Sequence, residues 1–218
     1  MPYFVALAGN IGVGKTTACN MIAEELGFRS LHEPVVDNRF LKDYYGDMKR
    51  WSFTLQMEFL LRRIEHHEQV RDSESSYIQD RTLLEDPEVF AKYLHGLGNM
   101  TDAELDLYFD YFRMLVTEVM QPDKIIFLGC PDVNELLRRI ESRGRIEERG
   151  ITARFLRGLA HYYATFPDIV EQKYKIPTLC VDVSKIDIRK AQDQKDFLAE
   201  VRSFIFEDDV NVNEGRLF

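Results

Sequence analysis

The chain has 218 residues, of which 45% are hydrophobic and 30% are charged, and its formal net charge is −9 at pH 7. This length suits one domain with a sizeable core. The acidic balance argues against a general nucleic-acid binder, which would need a basic face. No apolar run approaches the roughly 20 residues of a membrane span, and no signal peptide is visible, so we expect a cytoplasmic protein.

A glycine-rich loop separates the first predicted strand, residues 4–8, from a helical stretch at 18–26. The loop fits the pattern G-x-x-x-x-G-K-[ST] of a phosphate-binding loop. In this context backbone N–H groups and the positive end of the helix dipole surround phosphate oxygens. Lys15 then reaches the outer phosphates, and the Thr16 hydroxyl ligates magnesium. The residues predicted to bind the triphosphate are Gly9, Asn10, Ile11, Gly12, Val13, Gly14, Lys15, Thr16 and Thr17. We call residues 9–17 the P-loop.

Short apolar runs alternate with amphipathic stretches along the chain. After the first strand, the further strands are predicted at 29–32, 76–79, 124–130 and 178–183. The main helices are predicted at 51–70, from a capping-box sequence at 101–104, and after Asp132. This alternation predicts an α/β fold with a five-stranded parallel sheet and helices on both faces. We expect one domain at 1–206 and an acidic, mobile tail at 207–218.

Acidic residues follow two of the predicted strands. Glu33 comes after the second strand, and Asp80 and Arg81 come after the third. Because open α/β sheets bind ligands at the carboxyl ends of their strands, these side chains are expected in the ligand crevice. Glu33 is suited to accept a proton from an attacking hydroxyl, and Asp80 to hold magnesium through water. The alternatives are a solvated glutamate and a strand-end ion pair.

Five arginines lie close together near the end of the helix that follows Asp132. They are Arg138, Arg139, Arg143, Arg145 and Arg149. Forked guanidinium groups suit the charge that develops during phosphoryl transfer, and a basic lid excludes water from the reaction. We therefore predict an arginine-rich lid at about 139–150. The alternative is a solvated helix whose arginines pair with neighbouring glutamates.

Five motifs, in order, resemble those of the deoxynucleoside kinases, in the branch with deoxycytidine, deoxyguanosine and bacterial deoxyadenosine kinases. They are the P-loop, Glu33-Pro34-Val35, the run 50–56 (RWSFTLQ), Asp80-Arg81-Thr82, and the run 143–148 (RGRIEE). The bacterial deoxyadenosine kinases are the most similar in appearance. The resemblance covers the chain from Tyr3 to about Phe206. It implies a P-loop kinase that uses ATP and Mg²⁺ to phosphorylate the 5′-hydroxyl of a deoxyribonucleoside for nucleotide salvage.

The resemblance implies roles for the residues around the reacting hydroxyl. Glu33 would be the general base on the sugar 5′-hydroxyl, and Arg81 would steady that hydroxyl and the incoming phosphoryl group. Lys15 is the third candidate catalytic residue. Tyr45 and Glu148 would bind the sugar 3′-hydroxyl. Thr16 and Asp80 are the predicted magnesium residues, and the lid arginines that would clamp the donor phosphates are Arg139, Arg143 and Arg145.

The base pocket also follows from the resemblance. Gln56 would read the edge of the base, and Phe90 would stack on it. Arg63 and Asp86 match the polar pair that lines this pocket in the branch, and Phe59 would shape it. Gln56 and Arg63 are seven residues apart on a predicted helix, so they project to the same side. The alternatives are a surface amide for Gln56 and plain packing for the aromatic residues.

Two segments depart from the family pattern. The run Leu83-Leu84-Glu85 differs from the more polar or aromatic run common before the acid that matches Asp86. The loop at 183–189, where the family holds the donor's adenine, matches poorly. The resemblance also implies a homodimer, because the helix that carries the apolar stripe at 105–119 forms the family's dimer interface.

A purine nucleoside is the expected substrate, with deoxyadenosine first and thymidine disfavoured. The alternatives are a kinase of the same family that prefers deoxycytidine or deoxyguanosine, and a kinase of nucleoside monophosphates or small metabolites. A monophosphate acceptor would need arginines outside the lid, and only Arg62, Arg63 and Arg81 are available. A nucleotide-sensing switch without catalysis is a further alternative, but it would leave Glu33 and Gln56 without a purpose.

Overall fold

A five-stranded parallel sheet forms the centre of the computed structural model, which describes residues 2–32, 38–145 and 148–214. The strands lie side by side in the order β2-β3-β1-β4-β5. Their bounds are β1 Phe4–Ala8, β2 Arg29–Leu31, β3 Tyr77–Asp80, β4 Lys124–Gly129 and β5 Thr178–Asp182. The α/β fold and the number of strands predicted from the sequence are confirmed.

The central strand, β1, is buried along its whole length. All five of its residues are inaccessible to solvent, although successive side chains point to opposite faces of the sheet. Both faces are therefore covered, as the near-continuous apolar run of a parallel strand requires. The predicted bounds of β1 agree with the observed ones, and those of the other strands differ by one residue at one or both ends. In β3, the pairing of Leu7 with Asp80 extends the strand beyond its apolar residues.

Nine α-helices are present within the described ranges. They are α1 Lys15–Leu26, α2 Leu41–Gly46, α3 Met48–Arg71, α4 Lys92–Gly96, α5 Asp102–Val116, α6 Val133–Arg143, α7 Ala153–Tyr163, α8 Phe166–Ile169 and α9 Ala191–Glu214. Two π-helical segments, Asp86–Ala91 and Val170–Tyr174, precede α4 and follow α8. The last helix continues beyond residue 206 into the segment expected to be a tail.

The helix ends are set by local signals. Gly14 and Gly27 flank α1 in the left-handed conformation, and α5 begins with the predicted capping box of Thr101 and Glu104. Helix α3 starts three residues before the predicted Trp51, because the Asp47 side chain accepts a hydrogen bond from the Arg50 N–H and caps it.

Helix α3 packs against α5, and its Val70 forms one buried cluster with the strand residues Phe4, Leu31 and Tyr77. The His67 ring packs edge-on against Phe4 of β1, with 5.0 Å between the ring centres. Burial lowers the pKa of His67 to about 4, so this imidazole is neutral at pH 7. In the described parts of the chain, helices long enough to cross a bilayer are too polar to do so.

Candidate active site

The P-loop leaves β1 with the backbone that its glycines make possible. Gly9 and Gly12 have φ angles of 141° and 82°, in the region that favours glycine. A Cβ atom on Gly9 would lie 2.4 Å from the Leu128 carbonyl oxygen, so no larger residue fits there. The buried Lys15 Nζ donates to the carbonyl oxygens of Gly9 at 2.7 Å and Asn10 at 3.1 Å. The loop is therefore closed around the lysine before any ligand binds.

The pairing of β1 with β3 brings the segment after β3 beside the P-loop. Leu7 pairs with Asp80, and the Arg81 N–H donates to the Leu7 carbonyl oxygen at 3.0 Å. The Thr16 hydroxyl at the start of α1 donates to the Asp80 carboxylate at 2.5 Å. The predicted strand-end acid and arginine therefore lie at the phosphate-binding end of the sheet.

Thr16 and Asp80 fit a magnesium ion by their chemistry. One oxygen of the Asp80 carboxylate, Oδ1, is buried and has no hydrogen-bond partner. Mg²⁺ prefers oxygen ligands, and in nucleotide sites it is held by one or two carboxylates together with the phosphates. The described residues contain no cluster of three or more acidic, histidine or cysteine side chains that could hold a metal ion.

Arg81 is held in an unusual backbone conformation beneath the cleft. Its φ angle is +78°, which non-glycine residues rarely adopt. Its guanidinium donates to Glu85 at 3.0 Å and to the Tyr163 hydroxyl at 2.8 Å. The guanidinium carbon also lies 4.7 Å from the centre of the Phe90 ring. The sequence interpretation did not assign a role to Glu85 or Tyr163, although an acid four residues after Arg81 in an apolar run was a usable signal.

A buried ion pair forms the far end of the cleft. Arg63 on α3 donates to Asp86 at the start of the π-helical segment, with 2.5 Å between Nε and Oδ2. The same guanidinium contacts the Arg81 carbonyl oxygen at 3.4 Å and lies 5.6 Å from the centre of the Phe59 ring. Gln56 is also buried, and its Oε1 has no hydrogen-bond partner. The two predicted base-reading residues of α3 therefore lie on the same buried side of the helix.

The lid arginines are engaged by carboxylates. Arg139 donates to Glu135 at 2.9 Å and to the Val13 carbonyl oxygen of the P-loop at 3.3 Å. Arg143 donates to both oxygens of the buried Glu148, at 2.7 and 2.5 Å, and Arg145 reaches the same carboxylate at 3.4 Å. The residue expected to bind the 3′-hydroxyl is thus in contact with two arginines expected to bind phosphate.

One cleft of about 630 Å³ joins the predicted residues. Its lining contains these predicted residues: Ile11 to Thr17 of the P-loop, Tyr45, Gln56, Phe59, Arg63, Asp80, Arg81, Asp86, Phe90, Arg139, Arg143, Arg145 and Glu148. Gly9 and Asn10, the first two residues of the P-loop, are not part of this lining, and their carbonyl oxygens accept hydrogen bonds from Lys15. Glu33 lies outside the described residues. The lining also contains His32 and Tyr44, which have no predicted role, and residues 186–189 of the loop where the family holds the donor's adenine.

A family model of the deoxynucleoside kinases matches residues 5–206. The chain belongs to the deoxynucleoside kinase family. This deoxynucleoside kinase is 36% identical to the deoxyadenosine/deoxycytidine kinase of Bacillus subtilis (strain 168) over 143 residues, which are 65% of each protein. It is 29% identical to the deoxyguanosine kinase of the same strain over 92% of each protein.

Solved structures agree with the family assignment. The fold matches that of the deoxyadenosine kinase from M. mycoides with the products dCMP and a flexible dCDP bound, with a TM-score of 0.78 and 28% identity. The match covers 92% of this kinase and 99% of that chain. The protein is therefore an enzyme, a phosphotransferase of the deoxynucleoside kinase family.

The buried Arg63–Asp86 pair leads to a stability prediction. The substitution Asp86→Asn would remove the carboxylate charge that contacts the buried Arg63 guanidinium, so it should lower the free energy of unfolding by about 3 to 5 kcal/mol. Urea unfolding of the two proteins measures this difference. Asp102→Asn is the control, because the Asp102 side chain is 95% exposed in its pair with His95, and its effect should stay below about 1 kcal/mol. Equal losses in the two variants would contradict the prediction.

Proposed function

We propose that this kinase transfers the γ-phosphoryl group of Mg-ATP to the 5′-hydroxyl of a purine deoxyribonucleoside, with deoxyadenosine as the first substrate. The observation that supports the proposal most directly is the single cleft that runs from the P-loop to the buried Arg63–Asp86 pair. One end offers groups for phosphate and the other offers groups for a heterocycle. The alternative is a deoxycytidine or deoxyguanosine preference on the same machinery.

In the donor half of the cleft, the P-loop N–H groups and Lys15 would bind the triphosphate. Thr16 and Asp80 would hold Mg²⁺, which supplies positive charge to the phosphate oxygens when it is bound. Arg139, Arg143 and Arg145 would add guanidinium groups from the lid. Binding of a triphosphate would draw Lys15 Nζ away from the carbonyl oxygens of the loop, because phosphate oxygens are charged acceptors and form stronger bonds.

In the acceptor half, Glu33 would accept the proton of the 5′-hydroxyl as the phosphoryl group is transferred. Glu33 follows β2 by two residues, and the last residue of β2, Leu31, pairs with Gln79 of β3. The intervening His32 lines the cleft. The Arg81 guanidinium would stabilise the negative charge of the phosphoryl group as it passes from the leaving oxygen of the donor to the 5′-oxygen of the acceptor.

The base end of the cleft favours a base with an exocyclic amino group. Gln56 Oε1 is a buried acceptor without a donor, and the Asp86 carboxylate is a second acceptor nearby in the lining. An amino group on the ring supplies the donor that Gln56 Oε1 lacks, whereas thymine has no amino group. The Gln56 amide nitrogen would in turn donate to a ring nitrogen. Adenine and cytosine both meet this pattern.

The names and bound products of the relatives also support adenine and cytosine as the bases. The B. subtilis relative is named for deoxyadenosine and deoxycytidine, and the M. mycoides deoxyadenosine kinase holds cytosine products. The deoxyguanosine kinase of B. subtilis covers more of the chain at lower identity, so deoxyguanosine stays as an alternative. We place deoxyadenosine first because the motifs resemble those of bacterial deoxyadenosine kinases.

Recognition of the sugar would connect the nucleoside to the lid. The 3′-hydroxyl would bind Tyr45 and Glu148, and Glu148 already accepts hydrogen bonds from Arg143 and Arg145. The Glu148 carboxylate would therefore contact both the bound nucleoside and the lid arginines that bind the donor phosphates. Gly150, at the end of the lid, lies against Tyr45, and a Cβ atom there would lie 3.0 Å from the Tyr45 ring, so a larger residue would have to displace the ring slightly.

A nucleoside monophosphate is a poorer acceptor for this cleft. The three arginines outside the lid that could bind its phosphate are each paired with a carboxylate: Arg62 with Glu58 and Glu65, Arg63 with Asp86, and Arg81 with Glu85. A phosphate would have to replace these partners, two of which are in buried pairs. The proposal therefore excludes nucleoside monophosphate kinase activity as the main reaction.

The proposed function is tested by steady-state assays of the four natural deoxynucleosides and of dAMP with Mg-ATP. We expect kcat/KM to be highest for deoxyadenosine and at least about 10-fold lower for thymidine, since a missing donor leaves buried acceptors unpaired. Deoxycytidine or deoxyguanosine as the best substrate would support the alternatives within the family. Phosphorylation of dAMP alone, or ATP binding without turnover of any nucleoside, would contradict the proposal.

The role of Glu33 gives a second prediction. Glu33→Gln should lower kcat by about 10²-fold, because the amide cannot accept the proton, while nucleoside affinity changes little. Single-turnover assays and nucleoside titrations measure the two quantities separately. Glu24→Gln, at an exposed position on α1, is the matched control and should turn over normally. Near-normal kcat in Glu33→Gln would remove this residue from the role of general base.

We also propose that the enzyme is a homodimer. Helix α5 exposes Leu107, Tyr111 and Met114, which lie on one face because they are spaced by four and three residues. Leu61 on the neighbouring α3 is also exposed. The inner face of α5 carries the buried Tyr108 and Phe112, so the apolar stripe predicted at 105–119 serves the core and leaves a second apolar face outside. Exposed apolar faces of this kind are typical of protein interfaces.

The dimer is tested with a charge in the exposed face. Met114 is 69% exposed, which makes it the most accessible of the three apolar residues on this face of α5. Met114→Glu should shift the mass measured by light scattering from two chains to one, because a dimer interface would have to bury the new carboxylate. Leu97→Glu, at the end of α4, is the control and should leave the mass unchanged. A wild-type protein that is monomeric at micromolar concentration would contradict the proposal.

A further inference from the structure

Glu85 is a buried carboxylate at the junction between the P-loop and the segment after β3. Its side chain is inaccessible to solvent, yet it accepts four hydrogen bonds. Oε1 accepts from the Gly9 N–H at 3.0 Å, from the Arg81 guanidinium at 3.0 Å and from the Tyr163 hydroxyl at 2.6 Å. Oε2 accepts from the Thr82 N–H at 2.9 Å. One side chain thus connects β1, β3 and α7.

These bonds close into a rigid unit around Arg81. The Tyr163 hydroxyl accepts from the Arg81 guanidinium at 2.8 Å and donates to Glu85, so the three side chains form a triangle. Burial raises the pKa of Tyr163 well above its usual value, so its hydroxyl keeps the proton that it donates. The Glu85 carboxylate also balances the charge of Arg81, since a buried guanidinium is costly without a counter-charge.

The unit also explains how Arg81 keeps its strained backbone. A φ angle of +78° costs a non-glycine residue about 1 kcal/mol or more. Glu85 accepts hydrogen bonds from the Arg81 side chain and from the N–H of the next residue, Thr82. These bonds hold the backbone conformation of Arg81 from both sides. As a result, the guanidinium stays against the Phe90 ring, at the boundary between the proposed base and phosphate regions.

The same carboxylate fixes the start of the P-loop. Gly9 donates its N–H to Glu85, and its carbonyl oxygen accepts from Lys15 Nζ at 2.7 Å. Only the backbone of Gly9 therefore lies between Glu85 and the oxygen atom that accepts from the P-loop lysine. A shift of Glu85 would move the Arg81 guanidinium and the Lys15 acceptor together.

We propose that Glu85 is a positioning residue for phosphoryl transfer, which sets the Arg81 guanidinium on the acceptor side relative to the P-loop on the donor side. The inference rests on the proposed function and adds to it a residue that does not itself touch the substrates. In-line transfer depends on such alignment, because small displacements of charged groups lower the rate strongly.

Glu88 offers a matched comparison in the π-helical segment that directly follows Glu85. Its carboxylate is also buried, and it accepts from Lys92 at 2.5 Å, Lys173 at 2.6 Å and the Tyr174 hydroxyl at 2.7 Å. Neither Glu88 nor these partners are among the residues that line the cleft. Glu88→Gln therefore disturbs a buried carboxylate network of similar size without changing the proposed catalytic groups.

The test compares Glu85→Gln with Glu88→Gln. The amide at position 85 cannot balance Arg81, and its NH₂ group must face another donor, so we expect kcat to fall about 10- to 100-fold. The KM for the nucleoside should change less than about threefold, because the base contacts are made elsewhere. Glu88→Gln should lower the melting temperature but leave kcat within about twofold of the wild type. Similar kcat values in the two variants would overturn the inference.

A double-mutant cycle shows whether Glu85 acts through Arg81. In an Arg81→Ala background, Glu85→Gln should lower kcat by less than about threefold, since residues that act as one unit are not additive. If Glu85→Gln still lowers kcat by about 10- to 100-fold in the Arg81→Ala background, the inference is overturned. If Glu85→Gln does not fold, Tyr163→Phe replaces it in the cycle, because it removes one hydroxyl at nearly constant volume.

The wild-type assay separates this inference from the proposed function. Wild-type protein that phosphorylates no deoxynucleoside would refute the function itself. Active wild-type protein with a Glu85→Gln variant that matches Glu88→Gln would refute only the positioning role.

Discussion

The pairing of β1 with β3 is the contact on which the site depends. β1 leads into the P-loop and β3 leads into Asp80 and Arg81, and the register places Leu7 opposite Asp80. The Arg81 N–H completes the pairing with the Leu7 carbonyl oxygen. Because both strands run in the same direction, the P-loop and the segment with Asp80 and Arg81 emerge at one edge of the sheet. The relative position of the two halves is thus set by main-chain hydrogen bonds.

Buried charge is the second constraint. The cleft must present guanidinium and carboxylate groups where water is excluded, and unpaired charges there would be costly. The enzyme meets this cost with fixed pairs: Arg63 with Asp86 in the lining of the cleft, and Arg81 with Glu85 beside the P-loop. Both acids belong to the short stretch before and at the start of the π-helical segment. This stretch therefore organises two parts of the cleft at once.

Much of the molecule could be predicted from the sequence. The P-loop is a local signal, since its glycines, lysine and threonine and the helix that follows are contiguous in the chain. The strands were predicted to within one or two residues, and the capping box of α5 was predicted at its observed position. The resemblance to a family then assigned residues far apart in the chain to one site, and the described members of that set, apart from Gly9 and Asn10, line one cleft.

The sequence by itself determined the fold class, the phosphate-binding loop and the family, because these depend on periodicity and on motifs whose parts are adjacent. Only the tertiary structure decided the partners of each charge. Glu85 seemed a departure from the family pattern, yet it bonds Gly9 and Tyr163, which are 76 and 78 residues away. The engagement of Glu148 by the lid arginines likewise depends on side-chain geometry. Such contacts arise from packing of separate elements, and no local pattern encodes them.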